Sequence, residues 1–113
     1  MTGDVSKYLR DVVRVIDNIR TIYLADVPNL EAFEANMQAQ VMVERDLITL
    51  GEATSQLRKR KVVLSNADRI INRRNALVHQ YDQITPKTLW HAVQHELEDV
   101  REEANSLMAQ FGG

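Results

Sequence analysis

Four side chains within one eight-residue stretch could together bind a phosphate and move a proton: Arg74, Asn75, His79 and Tyr81. Arginine is permanently charged, and its planar fork of donors matches a phosphate, where it would stabilise charge on the non-bridging oxygens during phosphoryl transfer. Histidine exchanges a proton near neutral pH, because its ordinary pKa is about 6.5. The Asn75 amide could hydrogen-bond the imidazole or the phosphate. We therefore take this stretch as the candidate site.

Arg74 lies in the middle of an apolar stripe if the stretch is helical. On an ideal helix, five apolar or aromatic residues fall within about 60° of it: Ile70, Ile71, Leu77, Val78 and Tyr81. A guanidinium there must be paired or face a cleft, because an unpaired buried charge is costly. A structural ion pair with Glu44 or Glu52 of the preceding helix is one interpretation, and a functional site is the other.

The spacing of Arg74 and His79 raises a geometric difficulty. Five residues apart, they are separated by about 140° around a regular helix, so one helix does not easily direct both at one phosphate. A distorted helix, or a site shared between two subunits, would remove the difficulty. Tyr81 returns to the face of Arg74, where periodicity alone favours a core or interface aromatic.

The stretch from Arg74 to Tyr81 resembles the R-x-x-x-x-H-x-Y motif of the HEPN superfamily, and specifically its HepT-like toxin branch. Asn75 directly after the arginine and Val78 directly before the histidine also match that branch. Upstream, the Leu-Gly-Glu-Ala segment at 50–53 is similar to its Gly-Glu-Ala segment. Arg73 is a departure, because the branch often has an apolar residue there. An extra cation at Arg73 could help to bind RNA or simply face solvent.

The resemblance implies a metal-independent endoribonuclease toxin of a type VII toxin–antitoxin pair, acting on RNA such as tRNA or mRNA. Arg74, His79 and Asn75 would be the catalytic residues, Glu52 would support them, and the site would lie at a homodimer interface. The branch is neutralised by a cognate minimal nucleotidyltransferase antitoxin, which transfers AMP to the motif tyrosine, here Tyr81. Negative charge and bulk added there would block the RNA site.

Two other interpretations are compatible with the same residues. His79 can fill only one of the two acid–base roles that RNA cleavage needs, and no residue in the sequence is identified for the other. The chain could therefore be a catalytically silent HEPN module that only docks a nucleotidyltransferase. It could also be a plain dimeric helical protein in which Arg74 forms an interface ion pair.

The distribution of charge, rather than the net charge of −2, indicates a nucleic-acid partner. Residues 58–74 contain seven basic and one acidic residue, or +6, whereas the flanking segments carry −4 each. A basic band can hold a phosphate backbone even on an acidic protein. We expect RNA contacts from four of its residues: Arg60, Lys61, Arg69 and Arg73. The alternative for 58–61 is a solvated helix end, because cations suit a helix C-terminus.

Several functional classes are disfavoured by composition. There are no cysteines, and no apolar run approaches the roughly 20 residues of a membrane span. We therefore expect a cytoplasmic protein without a membrane association. His91 and His95 have i, i+4 spacing, but no third ligand is evident, so we expect no metal and no cofactor. We expect no DNA partner either.

Helical periodicity predicts an all-α fold, an antiparallel four- to five-helix up-and-down bundle in one domain over residues 1–113. The predicted helices cover 4–24, 30–36 and 38–60, with the question open whether 30–60 is kinked near Asn36. A capping box over 65–68 starts the motif helix, which runs to about Asp82. Thr85 and Pro86 start a last helix that carries apolar residues as far as Phe111. Gly51, inside a helix, indicates close approach by another helix.

Overall fold

The computed structural model describes residues 2–80, 82 and 84–111. Within these residues the chain forms six α-helices, one π-helical turn and no strand, so the predicted all-α bundle is confirmed. The π-helical turn, Ile19–Tyr23, extends the first helix. The helices are α1 (Thr2–Asn18), α2 (Leu30–Glu34), α3 (Met37–Lys59), α4 (Ala67–Val78), α5 (Pro86–His95) and α6 (Leu97–Gln110).

The helix α3 is central to the bundle, because it packs against both α1 and α4, while α1 packs against α6. Its buried face contains the residues that periodicity places on one stripe: Val43, Leu47, Leu50, Thr54 and Leu57. A polar contact joins α6 to α1, in which Arg101 Nε donates to Asp17 Oδ1 at 2.6 Å. The two helices that flank the candidate site, α3 and α4, are therefore fixed by the core.

Two of the predicted helix starts are confirmed by their caps. Thr85 is the N-cap of α5, Pro86 follows it, and the Thr88 amide donates to Thr85 Oγ1. Asn36 caps α3 by accepting a hydrogen bond from the Ala39 amide at 2.9 Å. The segment 30–60 is therefore two helices, because an N-cap residue needs non-helical dihedral angles.

Two predicted features of the helix ends are wrong. The capping box at 65–68 does not form, since the α4 N-cap Asn66 makes no side-chain cap bond; Ser65 instead donates from its amide and hydroxyl to the Glu103 carboxylate. The last helix is not continuous, because the backbone leaves helical geometry at Glu96, between α5 and α6. In both places the side chain is bound by a residue that is distant in sequence: Glu103 accepts from Ser65, and Arg73 donates to Glu96.

A membrane span was not expected, and none of the described helices has the length and apolar character that one requires.

Candidate active site

The helices α3 and α4 approach each other closely where Gly51 contacts the side chain of Arg74. A Cβ atom added to Gly51 would lie 2.2 Å from Arg74 Cβ, 2.7 Å from Arg74 Cγ and 3.4 Å from the carbonyl oxygen of Ile70. Distances under 3 Å at the base of a side chain leave no room for a methyl group. The close approach predicted from Gly51 is therefore confirmed, and its function is to seat the stem of Arg74 against α3.

Gly51→Ala should destabilise the fold by about 2 kcal/mol, because overpacking at this crossing outweighs the helix propensity that alanine gains. Chemical denaturation would measure the loss. Gly3→Ala is the matched control, because nothing lies within 4 Å of the added methyl group there. Equal stability of both variants would show that the crossing does not need glycine.

The guanidinium of Arg74 is only partly satisfied by its neighbours. Nη1 donates to Asn75 Oδ1 at 2.8 Å, Nη2 lies 3.9 Å from Glu52 Oε1, and Nε is buried without a hydrogen-bond partner. Glu52 is 57% exposed, and a long, solvated ion pair of this kind contributes little to stability. The group is thus positioned by Asn75 and by its packing, and the long contact with Glu52 leaves its charge available to an anion that enters from solvent.

Two open grooves meet at Arg74. The first, which we name the α3–α4 groove, has a volume of about 360 Å³ and includes Gln56, Lys59, Arg74 and Asn75 in its lining. The second, the α1–α3 groove, has a volume of about 420 Å³ and includes Tyr8, Gln56 and Arg74. Because Arg74, Glu52 and Gln56 line both grooves, an anion at Arg74 would sit between them.

His79 lies at the C-terminal end of α4 and not inside the helix, so the prediction that this helix reaches Asp82 is wrong. The helix ends at Val78, and Gln80 has a left-handed backbone with φ 56°. The amide of His79 still donates to the carbonyl of Asn75 at 3.0 Å, so its position continues the helix. The angular separation from Arg74 that a regular helix imposes is therefore largely retained.

Tyr81, the fourth candidate residue, lies outside the described residues, and its proposed role stays a prediction.

The residues of the basic band differ in how firmly acidic side chains hold them. Arg73 Nη2 donates to both carboxylate oxygens of Glu96 at 2.9 Å, and the two side chains are only 13% and 12% exposed. The alternative that Arg73 simply faces solvent is therefore wrong. Arg69 is exposed and lies 3.7 Å from the same carboxylate. Lys61 is also exposed, with φ 69° directly after α3.

Arg60, the remaining predicted RNA contact, is held against α3 and α1. Its Nη1 donates to the carbonyl and to the side-chain Oε1 of Gln56, and its guanidinium lies 5.0 Å from the centre of the Tyr8 ring. The roles of Arg60, Lys61, Arg69 and Arg73 in RNA binding stay predictions. The structure leaves Lys61 and Arg69 as the more accessible two.

Asp46 and Tyr23 form a polar pair that no motif in the sequence indicates. Asp46 is 7% exposed, and its Oδ2 has no hydrogen-bond partner. Burial raises the pKa of Asp46, although a hydrogen bond from Tyr23 acts in the opposite direction. The only signal in the sequence is the place of Asp46 on the apolar stripe, between Val43 and Leu50. Arg74 was identified by the same kind of signal, because it too is a charged residue on an apolar stripe.

The two histidines of α5 do not build a metal centre with other described residues. The rings of His91 and His95 lie 4.5 Å apart between centroids, and no group of three possible protein ligands occurs in the described part of the chain.

Comparison with known proteins gives one match. The sequence model of a family described as ribonuclease HepT-like matches residues 9–107, which include every candidate residue of the motif. No curated protein and no solved structure matches the chain.

Proposed function

The chain belongs to the HepT-like ribonuclease family, and from this membership we propose that it is a metal-independent endoribonuclease, the toxin of a type VII toxin–antitoxin pair. Its substrate is RNA, and its antitoxin is a minimal nucleotidyltransferase. The observation that carries the proposal is that the guanidinium of Arg74, paired with Glu52 only at 3.9 Å, lines two open grooves. A pre-positioned cation of this kind favours a phosphodiester that gains charge during cleavage.

The reaction follows from what each side chain can supply. The ribose 2′-oxygen attacks the adjacent phosphorus, the bond from phosphorus to the 5′-oxygen breaks, and a 2′,3′-cyclic phosphate forms. Arg74 stabilises the non-bridging oxygens, and Asn75 holds Arg74 through the 2.8 Å bond to Nη1. His79 either accepts the proton of the 2′-hydroxyl or donates a proton to the leaving 5′-oxygen.

A homodimer would complete this site. Within one subunit, His79 continues the geometry of α4, and a regular helix separates positions 74 and 79 by about 140°. Two copies that place their motifs against each other would bring Arg74 of one subunit towards His79 of the other.

Cleavage of total RNA and of tRNA in EDTA, by the parent protein beside His79→Ala, tests the proposal. Cleavage by the parent alone supports a metal-independent nuclease that uses His79. If neither protein cleaves while intact mass shows no modification of Tyr81, the ribonuclease proposal fails and the silent docking module becomes the better interpretation. Toxicity on expression separates the two in cells, because a docking module should be harmless alone.

Regulation would act through Tyr81, two residues after His79. Transfer of AMP to this phenol would place a phosphate and a nucleoside beside the RNA site and repel the substrate backbone. Tyr81→Phe should therefore cleave RNA like the parent but resist inactivation by the nucleotidyltransferase and ATP, as judged by intact mass and residual cleavage. Inactivation of Tyr81→Phe to the same extent as the parent would place the modification elsewhere.

A further inference from the structure

The α1–α3 groove contains an aromatic side chain that the proposed reaction does not use. Tyr8 lines this groove together with Arg74, which also contacts the α3–α4 groove. The groove volume of about 420 Å³ lies within the range of roughly 300 to 1,000 Å³ that is usual for small-molecule sites. One nucleotide could therefore fit between the aromatic ring and the guanidinium.

Two cations lie next to the ring of Tyr8, and they differ in how firmly their own side chains are held. Arg60 lies 5.0 Å from the ring centre and is fixed by two hydrogen bonds to Gln56. Lys7 Nζ lies 4.8 Å from the ring centre, but its side chain is 60% exposed and is paired at 3.2 Å with Asp11. A ligand could displace the Lys7 ammonium from the ring at little cost, since surface pairs are weak.

The charges of the two grooves differ in a way that suits different parts of a nucleotide. The α1–α3 groove has Lys7 and Arg74 against Asp11 and Glu52, so its formal charges cancel. The α3–α4 groove has Lys59 and Arg74 against Glu52, which leaves one positive charge. A phosphate chain is therefore favoured in the α3–α4 groove, and an uncharged aromatic base in the α1–α3 groove.

We infer that the α1–α3 groove is a nucleobase subsite for single-stranded RNA, in which one base stacks on Tyr8. The phosphate attached to that nucleotide contacts Arg74, and the backbone continues along the α3–α4 groove past Lys59. An unpaired base is required, because the faces of a paired base are covered by its neighbours in the duplex. The inference deepens the proposed function and rests on it for the choice of RNA as the ligand.

Binding of two charge-matched probes tests the subsite. One probe is a labelled short single-stranded RNA of random sequence, and the other is an oligomer of the same length built from abasic residues. Fluorescence anisotropy in EDTA, with every variant made in a His79→Ala background to prevent cleavage, gives the dissociation constants. Tyr8→Ala should weaken RNA binding by roughly 5- to 150-fold, the usual range for loss of one stacked base, and leave binding of the abasic oligomer unchanged.

Four further variants separate stacking from other effects. Tyr8→Phe should bind RNA like the parent, whereas Tyr8→Leu, which keeps apolar bulk without the ring, should bind like Tyr8→Ala. Phe111→Ala is the matched control, because Phe111 is also a half-buried aromatic residue packed on the core but lies outside the groove. Arg74→Ala should weaken the binding of both the RNA and the abasic oligomer.

Each outcome decides for or against the subsite. Unchanged RNA affinity in Tyr8→Ala and Tyr8→Leu, or an equal loss for RNA and the abasic oligomer, overturns it. So does an equal loss in Phe111→Ala. Cleavage by the parent with no effect of Tyr8 on RNA affinity contradicts the subsite alone. Tyr8-dependent binding by a protein that never cleaves RNA supports the subsite and contradicts only the ribonuclease proposal.

Discussion

His79→Ala is expected to lower the single-turnover rate of RNA cleavage by roughly 10²- to 10⁴-fold, the usual contribution of a general acid or base. RNA affinity should change little, because the imidazole acts on a proton and not on the phosphate charge. The fold should persist, because His79 is exposed at the end of α4. The hydrogen bond from its backbone amide to the Asn75 carbonyl is also available to alanine. Single-turnover kinetics with enzyme in excess would separate the rate from binding.

His91→Ala is the matched control for this experiment, because His91 is also exposed but lies on α5. Its cleavage rate should equal that of the parent. Mixing His79→Ala with an Arg74→Ala variant gives a stricter test of the shared site. If the site uses Arg74 of one subunit and His79 of the other, mixed dimers regain one intact site and part of the activity. Full activity of His79→Ala alone would remove the histidine from the mechanism.

Substitutions of Arg74 and of its neighbour Arg73 should affect different properties, the rate of RNA cleavage for Arg74 and the stability of the fold for Arg73. Arg74→Lys keeps the charge but loses the fork, and removal of one transition-state donor typically lowers the rate by about 10²- to 10³-fold. The free energy of unfolding should hardly change, because the pair with Glu52 is long and solvated. Cleavage kinetics and denaturation of the same preparation would show a loss in rate without a loss in stability.

Arg73→Ala should instead lower the free energy of unfolding by about 3 kcal/mol, because it removes the bidentate partner of the largely buried Glu96 carboxylate and leaves only the 3.7 Å contact with Arg69. The folded fraction should still cleave RNA at nearly the parental rate. Arg69→Ala is the control, since Arg69 contacts the same carboxylate at 3.7 Å from an exposed position. A stable Arg73→Ala variant that binds RNA poorly would make Arg73 an RNA contact, as the basic band suggested.

Local sequence signals determined the features that depend on near neighbours. Helical periodicity along α1 and α3 predicted an all-α bundle, because one apolar stripe per helix has to be buried. The α5 start was predictable, because the side chain of an N-cap threonine such as Thr85 accepts a hydrogen bond from a free amide of the first turn, and Pro86 has no amide that needs a partner. Gly51 predicted a close helix crossing, because a residue without a side chain lets a second helix come nearer.

Features that depend on distant partners were decided only by the tertiary structure. The break at Glu96 places its carboxylate against Arg73, and the start of α4 relies on Glu103 for Ser65, 38 residues away. The end of α4 at Val78 has no local signal, because the left-handed residue after it is Gln80 and not the usual glycine or asparagine.

The same division applies to the candidate site. The order of Arg74, Asn75 and His79 along the chain indicated the candidate residues and the chemistry that each could supply, because these depend on the type of side chain. What the sequence could not provide is the surroundings: the seat over Gly51, the partly unsatisfied guanidinium and the two grooves that meet there. These exist only after α1, α3 and α4 have packed, because burial and groove shape are properties of several helices at once.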